Sequence, residues 1–138
     1  MRFDVVTLFP EMFHGYLSQS LLNLAIQRKL IDVQLHNLRD WATGKHKQVD
    51  DRPFGGGPGM VLMVEPVVRA VESVRKMSSE APHLVMLTPQ GKTLNQEMVE
   101  RFATHSRLLL LCGRYEGFDE RVKEILQPEE VSIGDFIL

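Results

Sequence analysis

The run Arg107-Leu108-Leu109-Leu110-Leu111-Cys112 constrains this chain more than any other feature. A strand with one face in water alternates apolar and polar residues, whereas a strand covered on both faces reads as an unbroken apolar run. The run therefore predicts the central strand of a parallel sheet. Further strands are predicted over Phe3–Phe9, ending at Pro10, over Asp32–Leu38 and over His83–Thr88, with a strand-like segment from Glu130 to Leu138. Helical patterns fall between them. One runs to about Leu30 from a cap at Ser18 or Ser20. The next opens at Glu65-Pro66 and repeats Val67, Val68, Ala70, Val71, Val74 and Met77 as core contacts. Another covers Asn95–Ala103 with Met98, Val99 and Phe102 inward, and the last covers Asp119–Leu126. Strands alternating with helices imply an α/β domain, a largely parallel sheet flanked by helices.

A length of 138 residues suits one domain, and 43% hydrophobic residues suffice for a core. The net charge of −2 lacks the basic excess common in dedicated nucleic-acid binders. No apolar stretch reaches the roughly 18 residues of a membrane span, and the N-terminus lacks a signal-peptide pattern. Cys112 has no internal disulfide partner, and its leucine neighbours favour a buried hydrophobe over a reactive thiol. The expectation is a cytoplasmic protein.

Between Arg39 and Gly59 lies a long polar segment without periodicity, the kind of stretch that is usually functional or mobile. Its end, Asp50-Asp51-Arg52-Pro53-Phe54-Gly55-Gly56-Gly57-Pro58-Gly59-Met60, mixes glycine, proline and charge. Glycine admits close backbone approach and proline fixes φ, so a shaped loop is expected rather than a flexible linker. A purely structural turn is the plainer alternative; the flanking charges favour binding. Two more loops follow predicted strands: Leu87-Thr88-Pro89-Gln90-Gly91, with a turn at its end, and Cys112-Gly113-Arg114-Tyr115-Glu116-Gly117-Phe118-Asp119. A third, Ser132-Ile133-Gly134-Asp135, again sets glycine beside a carboxylate. Ligands in open α/β sheets gather at such strand ends.

Common nucleotide motifs do not match. The chain has no P-loop, and Gly57-Pro58-Gly59 lacks the third glycine and preceding strand of a dinucleotide fingerprint. The histidines show no metal-ligand spacing beyond a weak His46–Asp50 pair, so no metal site is assigned.

Taken in order, the first strand through Phe13, the Asp50–Met60 loop, Gly113-Arg114-Tyr115-Glu116-Gly117 and Ser132-Ile133-Gly134-Asp135 resemble the bacterial tRNA (guanine-N1)-methyltransferase family, knotted enzymes of the SPOUT class. The resemblance implies methyl transfer from S-adenosylmethionine to N1 of the guanine 3′ of the anticodon in tRNA. It implies a C-terminal trefoil knot, incomplete in this chain, whose loops hold the cofactor. Leu87, Thr88 and Pro89 would form one wall, and Gly113, Tyr115, Glu116 and Gly117 a second. Ser132, Ile133, Gly134, Asp135, Phe136, Ile137 and Leu138 would form the third. Thr88 stands where serine is common and Phe136 where tyrosine is frequent. Asp50, Arg52, Gly55, Gly57 and Gly59 would shape the guanine pocket. Glu116 would take a supporting role and help hold the base or a magnesium ion.

The family also implies a homodimer with its sites at the subunit interface. Residues 1–138 would be the S-adenosylmethionine-binding N-terminal domain. The helical tRNA-binding domain and the aspartate base lie beyond the position of Leu138, so this chain is expected to be inactive alone and to bind cofactor weakly or not at all. Two rivals remain: a non-catalytic RNA-binding module, and a knotted methyltransferase acting on ribosomal RNA or ribose hydroxyls.

Overall fold

The computed structural model describes residues 1–137; Leu138, expected at the third wall, lies outside the described residues. In chain order these form β1 (Arg2–Thr7), α1 (His14–Leu17), α2 (Ser20–Gln27), β2 (Asp32–Asn37), β3 (Asp50–Asp51), β4 (Val61–Leu62), α3 (Val64–Arg75), β5 (His83–Thr93), α4 (Gln96–Phe102), β6 (Arg107–Cys112), α5 (Glu120–Leu126) and β7 (Glu129–Ser132), with 3-10 turns at Pro10–Phe13 and Leu38–Trp41. Five strands make one sheet in the order β2-β1-β6-β5-β7, and every neighbouring pair is parallel. The leucine-rich strand β6 is the middle one, as its sequence predicts.

Both faces of that strand are covered. Leu109 and Leu111 join Val6, Leu84 and Met86 on one face, against Val67, Ala70, Val71 and Val74 of α3 and Val122 and Leu126 of α5. Leu110 faces the other way, with Val85 and Val131, toward Met98 and Phe102 of α4. Alternate residues of a strand point to opposite faces, so a strand feeding two cores must be apolar throughout.

A polar network sits inside the larger core. Asp4 is fully buried on β1. Its Oδ2 accepts from Arg2 Nε at 3.0 Å and Arg107 Nε at 2.8 Å, and its Oδ1 from Arg2 Nη2 at 3.0 Å and His36 Nε2 at 2.8 Å. Burial alone would raise this carboxyl, but the hydrogen bonds from Arg2, His36 and Arg107 outweigh it and hold the group below its ordinary value. Arg107 also donates through Nη1 to Arg75 O and Glu80 O and through Nη2 to Val74 O. A buried guanidinium thus satisfies the last carbonyls of α3, where the helix dipole favours a cation.

Several local expectations are corrected. The turn predicted at Pro89-Gln90-Gly91 does not end β5, which continues to Thr93 with a register shift, Leu87 and Lys92 both pairing with Val131. Neither Ser18 nor Ser20 caps α2. Its N-cap is Gln19 without a side-chain bond, and Ser18 Oγ donates to Gly15 O at 3.2 Å instead. Val99 faces solvent rather than the core, and Met77 lies past the end of α3 and is exposed. The segment before Met60 is not wholly irregular, because Asp50 and Asp51 pair antiparallel with Leu62 and Val61. No helix among the described residues is long and apolar enough to cross a membrane.

Candidate functional site

Strands β6, β5 and β7 are adjacent and parallel, so their carboxyl ends open on one edge of the sheet. A cavity of about 430 Å³ lies there. Its first wall is Leu87, Thr88 and Pro89, where the β5 ladder breaks. The second is Cys112 to Phe118, and the third Ser132, Ile133, Gly134, Phe136 and Ile137. The resemblance assigns nearly the same residues to cofactor contacts. Asp135 is the exception: it does not line the cavity, and its Oδ1 accepts from Thr93 Oγ1 at 3.4 Å. Cys112, Arg114 and Phe118 line it without having been assigned. Their only signal in the sequence was position, next to Gly113 and Gly117.

Glycine permits the walls to close. A Cβ on Gly113 would come within 2.9 Å of the Phe118 ring, and one on Gly134 would collide with Phe136. The third wall is also tied by its own hydroxyl: Ser132 Oγ donates to Gly134 O at 2.8 Å and accepts from Gly134 N at 3.2 Å. Tyr115, Ile133 and Phe136 are each about half exposed around the opening. Such an apolar rim with free backbone groups suits a ligand with a flat, partly apolar body. Burial pushes the Cys112 thiol up to about 11, so it stays protonated at neutral pH and is no nucleophile.

The glycine-rich loop stands beside this cavity. Asp50, Arg52, Gly55 and Gly57 are not in its wall. The two segments are joined through backbone: Glu116 N donates to Met60 O at 3.0 Å, Leu62 N to Gly117 O at 2.9 Å and Asp119 N to Leu62 O at 3.1 Å. Gly59 makes the closest approach. Its φ is +76°, and a Cβ there would fall 3.0 Å from Glu116 Cδ and nearer still to Cγ. Gly59→Ala should therefore lose roughly 1–2 kcal/mol from the left-handed backbone alone. It should also expel the Glu116 side chain from its place, which thermal unfolding together with nuclear magnetic resonance of the Glu116 amide would report. An unshifted Glu116 resonance would contradict this packing.

Relatives decide what family this arrangement belongs to. The family profile described as tRNA (Guanine-1)-methyltransferase TrmD matches residues 1–138. This chain belongs to the TrmD family. A tRNA (guanine-N(1)-)-methyltransferase of Rhodopirellula baltica is 61% identical over 139 residues, covering 100% of this chain and 57% of that protein. One from Thermomicrobium roseum is 50% identical, covering 100% of this chain and 52% of its own length. The crystal structure of tRNA (m1G37) methyltransferase from Aquifex aeolicus superposes with a TM-score of 0.88 at 40% identity, over 100% of this chain and 62% of that one. This TrmD-family chain thus spans little more than half the length of the curated relatives it matches.

Proposed function

We propose that residues 1–138 form the S-adenosylmethionine-binding half of an enzyme that methylates N1 of the guanine 3′ of the anticodon in tRNA. The observation that carries this reading is the gathering of three glycine-bearing loops around one cavity at the carboxyl ends of β5, β6 and β7. The fit is physical. Gly113 and Gly134 let the Phe118 and Phe136 rings pack directly against the walls, and Tyr115, Ile133 and Phe136 offer apolar surface to an adenosine. When bound, S-adenosylmethionine supplies an electrophilic methyl group on a sulfonium.

The protein's work in such a displacement is positioning, since the reacting atoms must be aligned in line. Leu87–Pro89 and Gly113–Gly117 fix one partner, and the Asp50–Gly59 loop beside them shapes the place of the guanine. Guanine N1 holds a proton at neutral pH, so a base must take it. Among the described residues Glu116 is the one carboxylate lining the cavity. It has a supporting role in this reading, and the base comes from outside residues 1–138. Among the described residues no three or more His, Cys, Asp or Glu side chains gather as a metal site. Glu116 as a contact for a magnesium ion rests on the family resemblance alone, and no step is assigned to the ion.

The same reading includes a trefoil knot, a further helical tRNA-binding domain and a cytoplasmic homodimer. Met12, Tyr16, Leu21 and Leu30, on or beside α1 and α2, are exposed and are the candidates for such a partner surface.

The test uses the whole protein with S-adenosylmethionine and two tRNA transcripts, with and without guanine after the anticodon. Methylation of the guanine-bearing transcript alone is expected, and none by the polypeptide of residues 1–138. Binding of tRNA without binding of S-adenosylmethionine would instead favour an RNA-binding module. Methylation of both transcripts would favour a knotted methyltransferase of other specificity.

A further inference from the structure

We propose that Arg121 is a positioning residue for the glycine-rich loop, its guanidinium clamping the Phe54 ring and fixing the loop beside the cavity. The proposal rests on the reading of this loop as the guanine side of the site.

The loop has little to hold itself. Gly55, Gly56, Gly57 and Gly59 all sit at positive φ. A Cβ built on Gly55 or Gly56 meets nothing within 4 Å, so packing does not confine that stretch. Phe54 is the only large apolar side chain between Pro53 and Gly59, and it is 76% exposed. What it meets is Arg121, whose Cζ lies 4.5 Å from the ring centroid.

Arg121 is held by bonds independent of the ring. Its Nε donates to Asp119 Oδ1 at 3.0 Å and its Nη2 to Asp119 Oδ2 at 2.7 Å, a planar two-point fork. Asp119 is itself buried. It caps α5 by accepting from Arg121 N at 2.9 Å and is tied to β4 through Leu62 O. A guanidinium held edge-on by a carboxylate keeps its flat face free for an aromatic ring, which a lysine in that place would not offer. Arg121 also lies in the first turn of α5, directly after the loop that forms the second wall of the cavity. The glycine-rich segment is thus pinned at both ends to one stretch of chain: Phe54 to Arg121 at its entry, and Met60 to Glu116 at its exit.

The experiment measures amide hydrogen exchange at Gly55–Gly57 in the whole protein, together with S-adenosylmethionine affinity and steady-state methylation of tRNA. Arg121→Met and Phe54→Ala should each speed loop exchange roughly 2- to 5-fold, the span of a solvent-exposed cation–π contact converted to a rate ratio. The double variant should exchange no faster than either single one. Phe54→Tyr should behave as wild type, and Arg121→Lys should lose most of the protection. S-adenosylmethionine affinity should stay unchanged while kcat/KM for tRNA falls. Unchanged loop exchange in a folded Arg121→Met protein overturns the proposal, as do additive effects in the double variant. Faster exchange with unaltered tRNA kinetics keeps the clamp and overturns the guanine-side reading of the loop.

Discussion

Asp4→Ala is expected to cost about 3–5 kcal/mol of folding free energy, the usual loss when one partner of a buried ion pair is removed. The alanine would leave fully buried Arg107 without its carboxylate, and Arg2 and His36 without theirs. All four acceptor positions of Asp4 are used, so no spare hydrogen bond softens the loss. The effect should spread to α3, whose last carbonyls, Val74 O and Arg75 O, accept from Arg107. Urea unfolding of wild type and variant measures it directly, and a loss below about 1 kcal/mol, typical of a surface pair, would refute the buried network. Acid gives an independent check. Asp4 titrates below its ordinary 3.8 in the folded protein, so its contribution is complete above that pH and disappears as pH falls through the depressed value. Glu129 acts likewise. Its hydrogen bonds with Arg101 and then His83 hold it at about 2, against an ordinary 4.5. Wild-type stability should therefore decline from about pH 4.5 downward, and Asp4→Asn should remove Asp4's share of that slope.

Gly91→Ala should be the most damaging single-methyl change, at roughly 3 kcal/mol or more, the upper range for overpacking. A Cβ at Gly91 would lie 2.5 Å from the Glu130 carbonyl carbon, 2.7 Å from its oxygen and closer still to Val131 N. These are backbone atoms of β7, so no side chain can swing aside. The strand would have to leave its register with β5, and the third wall of the cavity leaves with it, since Ser132–Ile137 continue directly from β7. Stability and S-adenosylmethionine affinity should fall together. Calorimetric titration at a temperature where the variant remains folded separates the two, and intact affinity there would mean that β7 tolerates the displacement.

The gathering of the loops illustrates what is readable from residues and what is not. The Leu108–Leu111 run placed a central strand correctly because burial on both faces leaves a mark on every residue of a strand. Asn95 and Asp119 stood at helix starts, and each side chain accepts a hydrogen bond from its helix's first turn, to Met98 N and Arg121 N. The valine repeat of α3 is core-facing for the same local reason, a periodic match to one helix face. Met77 failed because the helix had already ended, and Val99 because α4 is short and its inward stripe narrow. Serine at positions 18 and 20 looked like a cap, yet the chain turned into α2 through Gln19.

The α/β alternation, the central strand and the loops that carry glycine beside charge were all legible in the residues alone. Those features arise within a few residues of one another, where backbone freedom, periodicity and side-chain type act directly. The folded chain was needed to reveal that β5 runs through Pro89–Gly91, that Asp4 faces Arg107 from 103 positions away, and that Met60 meets Glu116. Each of these is a pairing between distant segments. A local pattern cannot name a distant partner, because what selects it is the packing of the whole sheet against its helices.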